Sequence, residues 1–356
     1  MNMQDQVVNS DSRQPHTLLK GGDPVLKDAL VKLPLGFGGG AISGEGGGYG
    51  FGPISEEEAR TLLLHAFERG FRLFDTAPIY GFGLSEERMG RSLKPIRDRV
   101  FLVSKCGVSW HEPSRRVNMT NDPLVAKSML EDSLRRLQTD MIDLYMVHWP
   151  DERVDIRKSM EVLVRAQEKG QIRHIGLCNT FPSDFARASE IAKISVVQSE
   201  LNIFNPKPYR TIEATLQSEN VSFMSWGTLD KGIISGTVKK RHQFAETDSR
   251  ARAPWWKWSD VEKKLKVMEQ IHSMLTPANK EKTPGLNGTQ LALAHNLKLS
   301  NVDVLLVGPK SLAQLDDLIF QLEQARSETL NAQYEKLASD ITKLSYAWNE
   351  GPEGQA

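Results

Sequence analysis

Eight short apolar runs alternate with amphipathic helical stretches along most of this 356-residue chain. The runs lie at 33–37, 71–74, 100–103, 142–147, 172–177, 196–198, 221–224 and 304–307. Between the first two, Ala59, Leu62, Leu63, Ala66 and Phe67 follow the i, i+3, i+4, i+7, i+8 spacing of one buried helix face. Asn121, Asp122 and Pro123 supply a polar cap and a first-turn proline for another helix, whose inner side is Ala126, Leu130, Leu134 and Leu137. Ile156, Met160, Leu163 and Val164 line a third. Strands separated by helices, with few tight hairpin signals, predict a parallel sheet. Eight such units favour a closed (β/α)8 TIM barrel. The rival, a doubly wound sheet, carries a G-x-G-x-x-G fingerprint after its first strand. The glycines at 38–40 and 44–52 do not fit that spacing and read as a flexible loop on the barrel rim.

Residues 1–25 read as a mobile lead-in, 26–346 as the barrel and 347–356 as a tail. One interval, 229–286, breaks the rhythm. It carries Trp255, Trp256 and Trp258, then an amphipathic stretch at Val261, Leu265, Met268, His272 and Leu275. A structureless loop of that length is uncommon, so a structured insertion at about 237–286 after the seventh strand is expected.

Composition removes several function classes. Lys plus Arg and Asp plus Glu both number 45, so no basic footprint for nucleic acid exists overall. No apolar run reaches the length of a membrane span, and the polar first twenty residues lack a signal-peptide core. Two cysteines, Cys106 and Cys178, make neither a disulfide framework nor a four-thiolate zinc site. A reduced, cytoplasmic setting is the expectation.

Barrels of this kind place their chemistry at the C-terminal ends of the strands. There the sequence puts Asp75, Lys105, His148, Asn179, Gln198 and Trp226, with Tyr80 in the loop after the second strand. Singly, each has a plain reading: a turn aspartate, a surface lysine, a core histidine. Jointly they suggest a tuned phenol. A nearby ammonium lowers a tyrosine pKa toward neutrality. A carboxylate keeps the ammonium charged, and a histidine orients a carbonyl or passes a proton. Such a proton donor needs a hydride source, which points to a nicotinamide cofactor.

Four segments carry a resemblance. They are GFRLFDTAPIYG at 70–81 with Ser85, Glu86, Glu87 and Gly90; IDLYMVHWP at 142–150; GQIRHIGLCN at 170–179; and VGPKS at 307–311 with Gln314. In this order they resemble the signatures of the aldo–keto reductases, with details near the bacterial branch that neighbours the potassium-channel β-subunits. The resemblance implies a catalytic tetrad: Tyr80 as proton donor, Lys105 and Asp75 as its pKa partners, and His148 as carbonyl orienter. It implies NADPH bound across the barrel mouth, with NADH possible. Asn179 and Gln198 match positions holding the nicotinamide carboxamide, with Cys178 where the family usually has serine. Trp226 matches the aromatic under the nicotinamide. Leu229 to Gly236, with Lys231 and Gly232, match the loop whose backbone amides meet the pyrophosphate. Gly308, Lys310, Ser311 and Gln314 match the adenosine-phosphate loop. Many relatives carry Arg at position 310 and Asn at 318, where this chain has Lys310 and Leu318. Ser311 and Gln314 also read as a capping box.

The resulting expectation is an NADPH-dependent reductase of a small carbonyl substrate, working without a metal, nucleic acid or membrane. The alternative is a slow-turnover redox-sensing subunit that retains its cofactor. A barrel with a degraded site is disfavoured by the intact tetrad. Specificity falls to the loops at 41–53, 107–121 and 229–284, and the Trp255, Trp256 and Trp258 cluster either walls the substrate or pins the insertion.

Overall fold

A computed structural model describes Leu26 and residues 33–44, 50–241, 243–275 and 286–347. The expected lead-in, 1–25, lies outside the described residues, as does the expected tail except Ala347, which ends the last helix. So do residues 45–49 of the glycine-rich loop and 276–285 of the insertion.

Eight parallel strands close into a barrel. They are β1 (Leu35–Gly38), β2 (Leu73–Asp75), β3 (Phe101–Cys106), β6 (Ile142–Val147), β7 (Ile172–Cys178), β8 (Val196–Glu200), β9 (Ser222–Trp226) and β10 (Val302–Val307), and β1 pairs with both β2 and β10. Every apolar run predicted above overlaps one of them. The barrel interior is a stack of inward side chains: Leu73, Phe101, Val103, Leu144, Met146, Val196, Met224, Val304 and Leu306, with Leu26 joining them. Buried apolar faces of the outer helices form the larger core around it.

The helices form where their caps and periodicity dictate. Helix α1 (Glu56–Glu68) starts at Ser55, whose hydroxyl accepts the Glu58 amide in a capping box, and it buries all five residues of the predicted face. Helix α3 (Pro123–Leu137) starts at Asp122, whose carboxylate takes the Leu124 and Val125 amides. Helix α2 (Leu84–Leu93) crosses α3 at Gly90, where a Cβ would sit 2.3 Å from the Arg136 carbonyl oxygen. Beside that crossing Glu86 is fully buried, accepting from Arg136 Nε and Ser104 Oγ, both at 2.6 Å. Gly90→Ala should therefore lower stability by about 1–3 kcal/mol through overpacking against backbone that cannot retreat. A urea midpoint equal to wild type would contradict it.

Two features depart from the sequence reading. Residues 107–121, expected as a loop, contain an antiparallel hairpin of β4 (Val108–His111) and β5 (Arg116–Met119). Its turn has no glycine; Arg115 itself takes the left-handed conformation, with φ 53°. Its second strand is mostly exposed, so no apolar alternation marks it. The described part of the insertion interval holds a helix at Trp258–Leu275. Its inner face is Val261, Met268, Ile271 and Leu275; His272 is exposed, because Ile271 is the apolar side chain at that turn. The C-terminal helix, Glu328–Ala347, packs against this insertion helix. No helix among the described residues is long and apolar enough to cross a membrane.

Candidate active site

Side chains along a strand alternate faces, so a residue two positions beyond an inward core residue also points inward. That rule builds the site. Leu73, Val103, Val196 and Met224 belong to the interior stack. Asp75, Lys105, Gln198 and Trp226 stand two residues further along β2, β3, β8 and β9. Met146 is likewise followed by His148, just past β6, whose amide donates to the Cys106 carbonyl at 2.8 Å. The apolar stack thus ends in a polar layer at the C-terminal mouth.

Lys105 is 0% exposed and Asp75 2%. The Lys105 ammonium donates to both Asp75 oxygens and to the Thr76 carbonyl, each at 2.8 Å. Gln198 Nε2 donates to Asp75 Oδ2 at 2.9 Å. Above them, the Tyr80 ring centroid is 5.4 Å from Lys105 Nζ and 6.0 Å from the His148 ring, with the two rings nearly perpendicular. The four expected groups, spread over more than seventy residues of sequence, therefore meet.

Their electrostatics differ from the sequence reading in one respect. Burial pushes the Tyr80 phenol up to about 12, and Lys105 pulls it back only in part. The sequence predicts a phenol tuned toward neutrality; here desolvation of the partly buried phenol outweighs the neighbouring cation. Burial also opposes the Lys105 ammonium, but Asp75 more than compensates and holds it charged above its ordinary range. His148 is driven well below 6.5, first by burial and then by Lys105, so its ring is neutral at pH 7.

This last shift carries a stability consequence. Below about pH 6.5 the unfolded chain protonates His148 and the folded chain does not, so stability falls as pH falls, by about 1.4 kcal/mol per pH unit for one such group. His295, lowered to about 4 mainly by burial, adds the same sign. Urea midpoints from pH 7 to pH 5 should fall, and His148→Asn should flatten the trend. An identical slope in that variant would exclude His148 as a source.

The expected cofactor residues lie around the same mouth. Asn179 sits at φ 52°, donating from Nδ2 to the His148 carbonyl at 3.1 Å and to Cys178 Sγ at 3.2 Å. Trp226 Nε1 donates to Asn179 Oδ1 at 3.1 Å. Cys178 donates to Gln198 Oε1 at 3.3 Å. The Lys231 ammonium is 2.6 Å from Glu200 and 3.7 Å from Asp230, and lies over the Trp226 and Trp255 rings at 5.5 and 5.6 Å.

The expected pyrophosphate loop is a tight turn. Its Gly232 and Ile234 amides donate back to the Leu229 carbonyl, and the Ile233 amide donates to Asp230. Those three amides are thus used inside the turn.

At the other end, Ser311 Oγ accepts the Gln314 amide, as a cap should. The Gln314 side chain reaches past Ser311 to accept the Lys310 amide at 2.8 Å. A Cβ on exposed Gly308 would lie 3.3 Å from the Ala41 side chain.

Sequence reasoning missed the aromatic wall beside Tyr80. Phe82 and Trp110 pack edge to face at 5.3 Å, Arg115 lies 4.3 Å over Phe82, and Trp149 neighbours His148 at 6.5 Å. Trp149 lies inside the 142–150 motif and Phe82 just past the 70–81 motif, neither with a role of its own there; Trp110 has no signal in the sequence, because nothing in it marks the hairpin. In the insertion, Trp256 and Trp258 pack on the main core, whereas Trp255 remains 44% exposed. Among the described residues no group of three metal-binding side chains occurs.

A barrel with a buried lysine–aspartate pair under a tyrosine and a histidine defines a class of cofactor-assisted oxidoreductase. Comparison with known proteins names the family within that class. Residues 34–338 match the Aldo/keto reductase family. The chain is 31% identical over 272 residues to the NADP(+) aldo-keto reductase yakc of Schizosaccharomyces pombe, covering 75% of this chain and 78% of that one. It is 28% identical to the aldo-keto reductase YhdN of Bacillus subtilis over 87% of this chain and 91% of that one. Among solved structures, a glycerol dehydrogenase from Gluconobacter oxydans superposes with a TM-score of 0.71 at 27% identity, covering 87% and 91% of the two chains. The chain belongs to the aldo/keto reductase family, and so to the NAD(P)H-dependent oxidoreductases.

Proposed function

We propose that this protein reduces an aldehyde or ketone to the alcohol, reversibly, using NADPH with NADH as a possible second donor. The convergence of Lys105 and Asp75 beneath Tyr80 and His148 carries this reading. The mouth suits a nicotinamide dinucleotide in its donor set: an indole edge-pinned by Asn179, two carboxamides at Asn179 and Gln198, and a capped helix start beside Lys310. Asn179, Gln198 and Trp226 would hold its nicotinamide end, with Leu229, Lys231 and Gly232 beside its middle and Gly308, Lys310, Ser311 and Gln314 beside its adenosine end. When bound, the cofactor supplies hydride to the carbonyl carbon.

The protein's own groups do the rest. Tyr80 is protonated throughout the neutral range and donates its proton to the carbonyl oxygen. Lys105, kept charged by Asp75, stabilises the phenolate left behind. His148, neutral, orients the carbonyl by hydrogen bonding. Phe82, Trp110 and Trp149 exclude water and favour a carbonyl with an apolar or aromatic substituent. The working unit is the barrel of 26–346 with its insertion at about 237–286.

The test is a panel of carbonyls and alcohols assayed with NADPH and NADH by nicotinamide absorbance. Turnover of apolar and aromatic aldehydes is expected. Tight cofactor retention with no turnover of any carbonyl would replace this reading with that of a cofactor-retaining sensor.

A further inference from the structure

The adenosine end of the mouth contains a cation whose bonds are already taken. Lys310 Nζ donates to the carbonyls of Phe51, Gly52 and Pro53 at 2.7, 2.7 and 3.1 Å. An ammonium has three donors, and these three carbonyls engage all of them. The segment it grips, residues 50–53, is held from the other side as well. Phe51 forms an antiparallel bridge with Asp248, and the Ser249 amide donates to the Gly50 carbonyl at 2.9 Å. Gly52 takes φ 85°, and a Cβ there would stand 3.6 Å from Asp248 Oδ2 and 3.7 Å from Lys310 Nζ.

The neighbouring cations are committed too. Arg250 is forked onto Asp248, with Nη2 at 2.7 Å and Nε at 3.0 Å, and its Nη1 donates to the Lys231 carbonyl at 2.9 Å. Phe244 and Phe51 lie 3.9 and 5.3 Å from that guanidinium. Arg88 donates to Glu56 and to the carbonyls of Ile42 and Ile54. Glu58, which also faces Lys310, is bound by Ser55. Asp248, Glu58 and Glu56, the last shared with Arg91, therefore offset much of the charge of Lys310, Arg250 and Arg88. The Ser311 hydroxyl oxygen and the Gln314 carboxamide oxygen serve the helix cap, and Leu318 is a buried apolar side chain in the same helix.

An adenosine 2′-phosphate is a dianion and needs a cation free to donate to it. We propose that Lys310 is a clasp joining the 50–53 segment to the barrel, that it does not select for the 2′-phosphate, and that the protein consequently binds NADH nearly as well as NADPH. This inference rests on the dinucleotide reading above and concerns which dinucleotide. Burial lowers the Lys310 pKa, as fits an ammonium bonded to carbonyls in a half-buried position.

The test is binding, read by quenching of tryptophan fluorescence on the full chain, with NADPH, NADH, 2′,5′-ADP and 5′-ADP as separate ligands. The wild type should bind NADPH and NADH with Kd values within about tenfold, less than one charge-assisted contact confers. Lys310→Met should weaken both dinucleotides by the same factor and should speed proteolytic cutting at 50–53. NADPH bound more than about a hundredfold tighter than NADH, with that preference erased in Lys310→Met, would overturn the proposal. So would a variant unchanged in both affinity and cutting. If Lys310→Met does not fold, the wild-type comparison of 2′,5′-ADP with 5′-ADP decides: near-equal affinity supports the clasp, strong preference for the 2′-phosphate refutes it. Binding of neither dinucleotide would instead remove the oxidoreductase reading beneath it.

Discussion

Tyr80→Phe is expected to lose carbonyl reduction by about 10²–10⁴-fold, the range for removal of a positioned general acid. The substitution deletes one oxygen and keeps the ring. The edge contact with His148 is a ring contact, so it survives, while the phenol's own interaction with Lys105 is lost. The phenol is the group that still holds a proton at neutral pH. Lys105 cannot replace it, because its three donors are spent on Asp75 and the Thr76 carbonyl. His148 cannot either, since its ring is neutral and driven away from carrying an extra proton. The decisive measurement pairs single-turnover rates with dinucleotide Kd. The rate should collapse while the Kd stays within about twofold, because the deleted oxygen makes no uniform binding contribution. Equal turnover in variant and wild type would end the assignment.

The second large effect concerns the pair underneath. Lys105→Met should destabilise the fold by about 3–5 kcal/mol, the usual cost of removing one partner of a buried ion pair. The Asp75 carboxylate, 2% exposed, would keep only the Gln198 amide among its present side-chain donors. Adding Asp75→Asn to Lys105→Met should restore most of the loss, since replacing both charges removes the desolvation cost with the attraction. Urea unfolding of the two single variants and the double variant measures this as a cycle. A Lys105→Met protein as stable as wild type would show that the pair is far wetter than its geometry says.

The barrel and the tetrad were legible for different reasons. A buried parallel strand is an apolar run, and a helix between two such runs has its own period, so the eight units could be counted. The polar layer followed from where those runs stop, at Asp75, Lys105, His148 and Gln198. Tyr80, in a loop, was reached through the motif it belongs to. The hairpin at 108–119 was hidden because its turn is Glu112, Pro113, Ser114 and Arg115, with no residue that advertises a left-handed φ. The Lys310 clasp joins residues 258 apart in the chain, a distance over which no local pattern reports. The direction of the Tyr80 shift was also beyond the text, since sequence names the neighbouring charges but not how dry they are.

Both sulfhydryls of this chain, at Cys106 and Cys178, are buried, and burial pushes each up to about 12. Reagents such as maleimides attack the thiolate, which neither position offers at neutral pH. A single engineered cysteine at an exposed rim site such as Phe181 would therefore take a dye or spin label alone, without first stripping the native pair from the sequence.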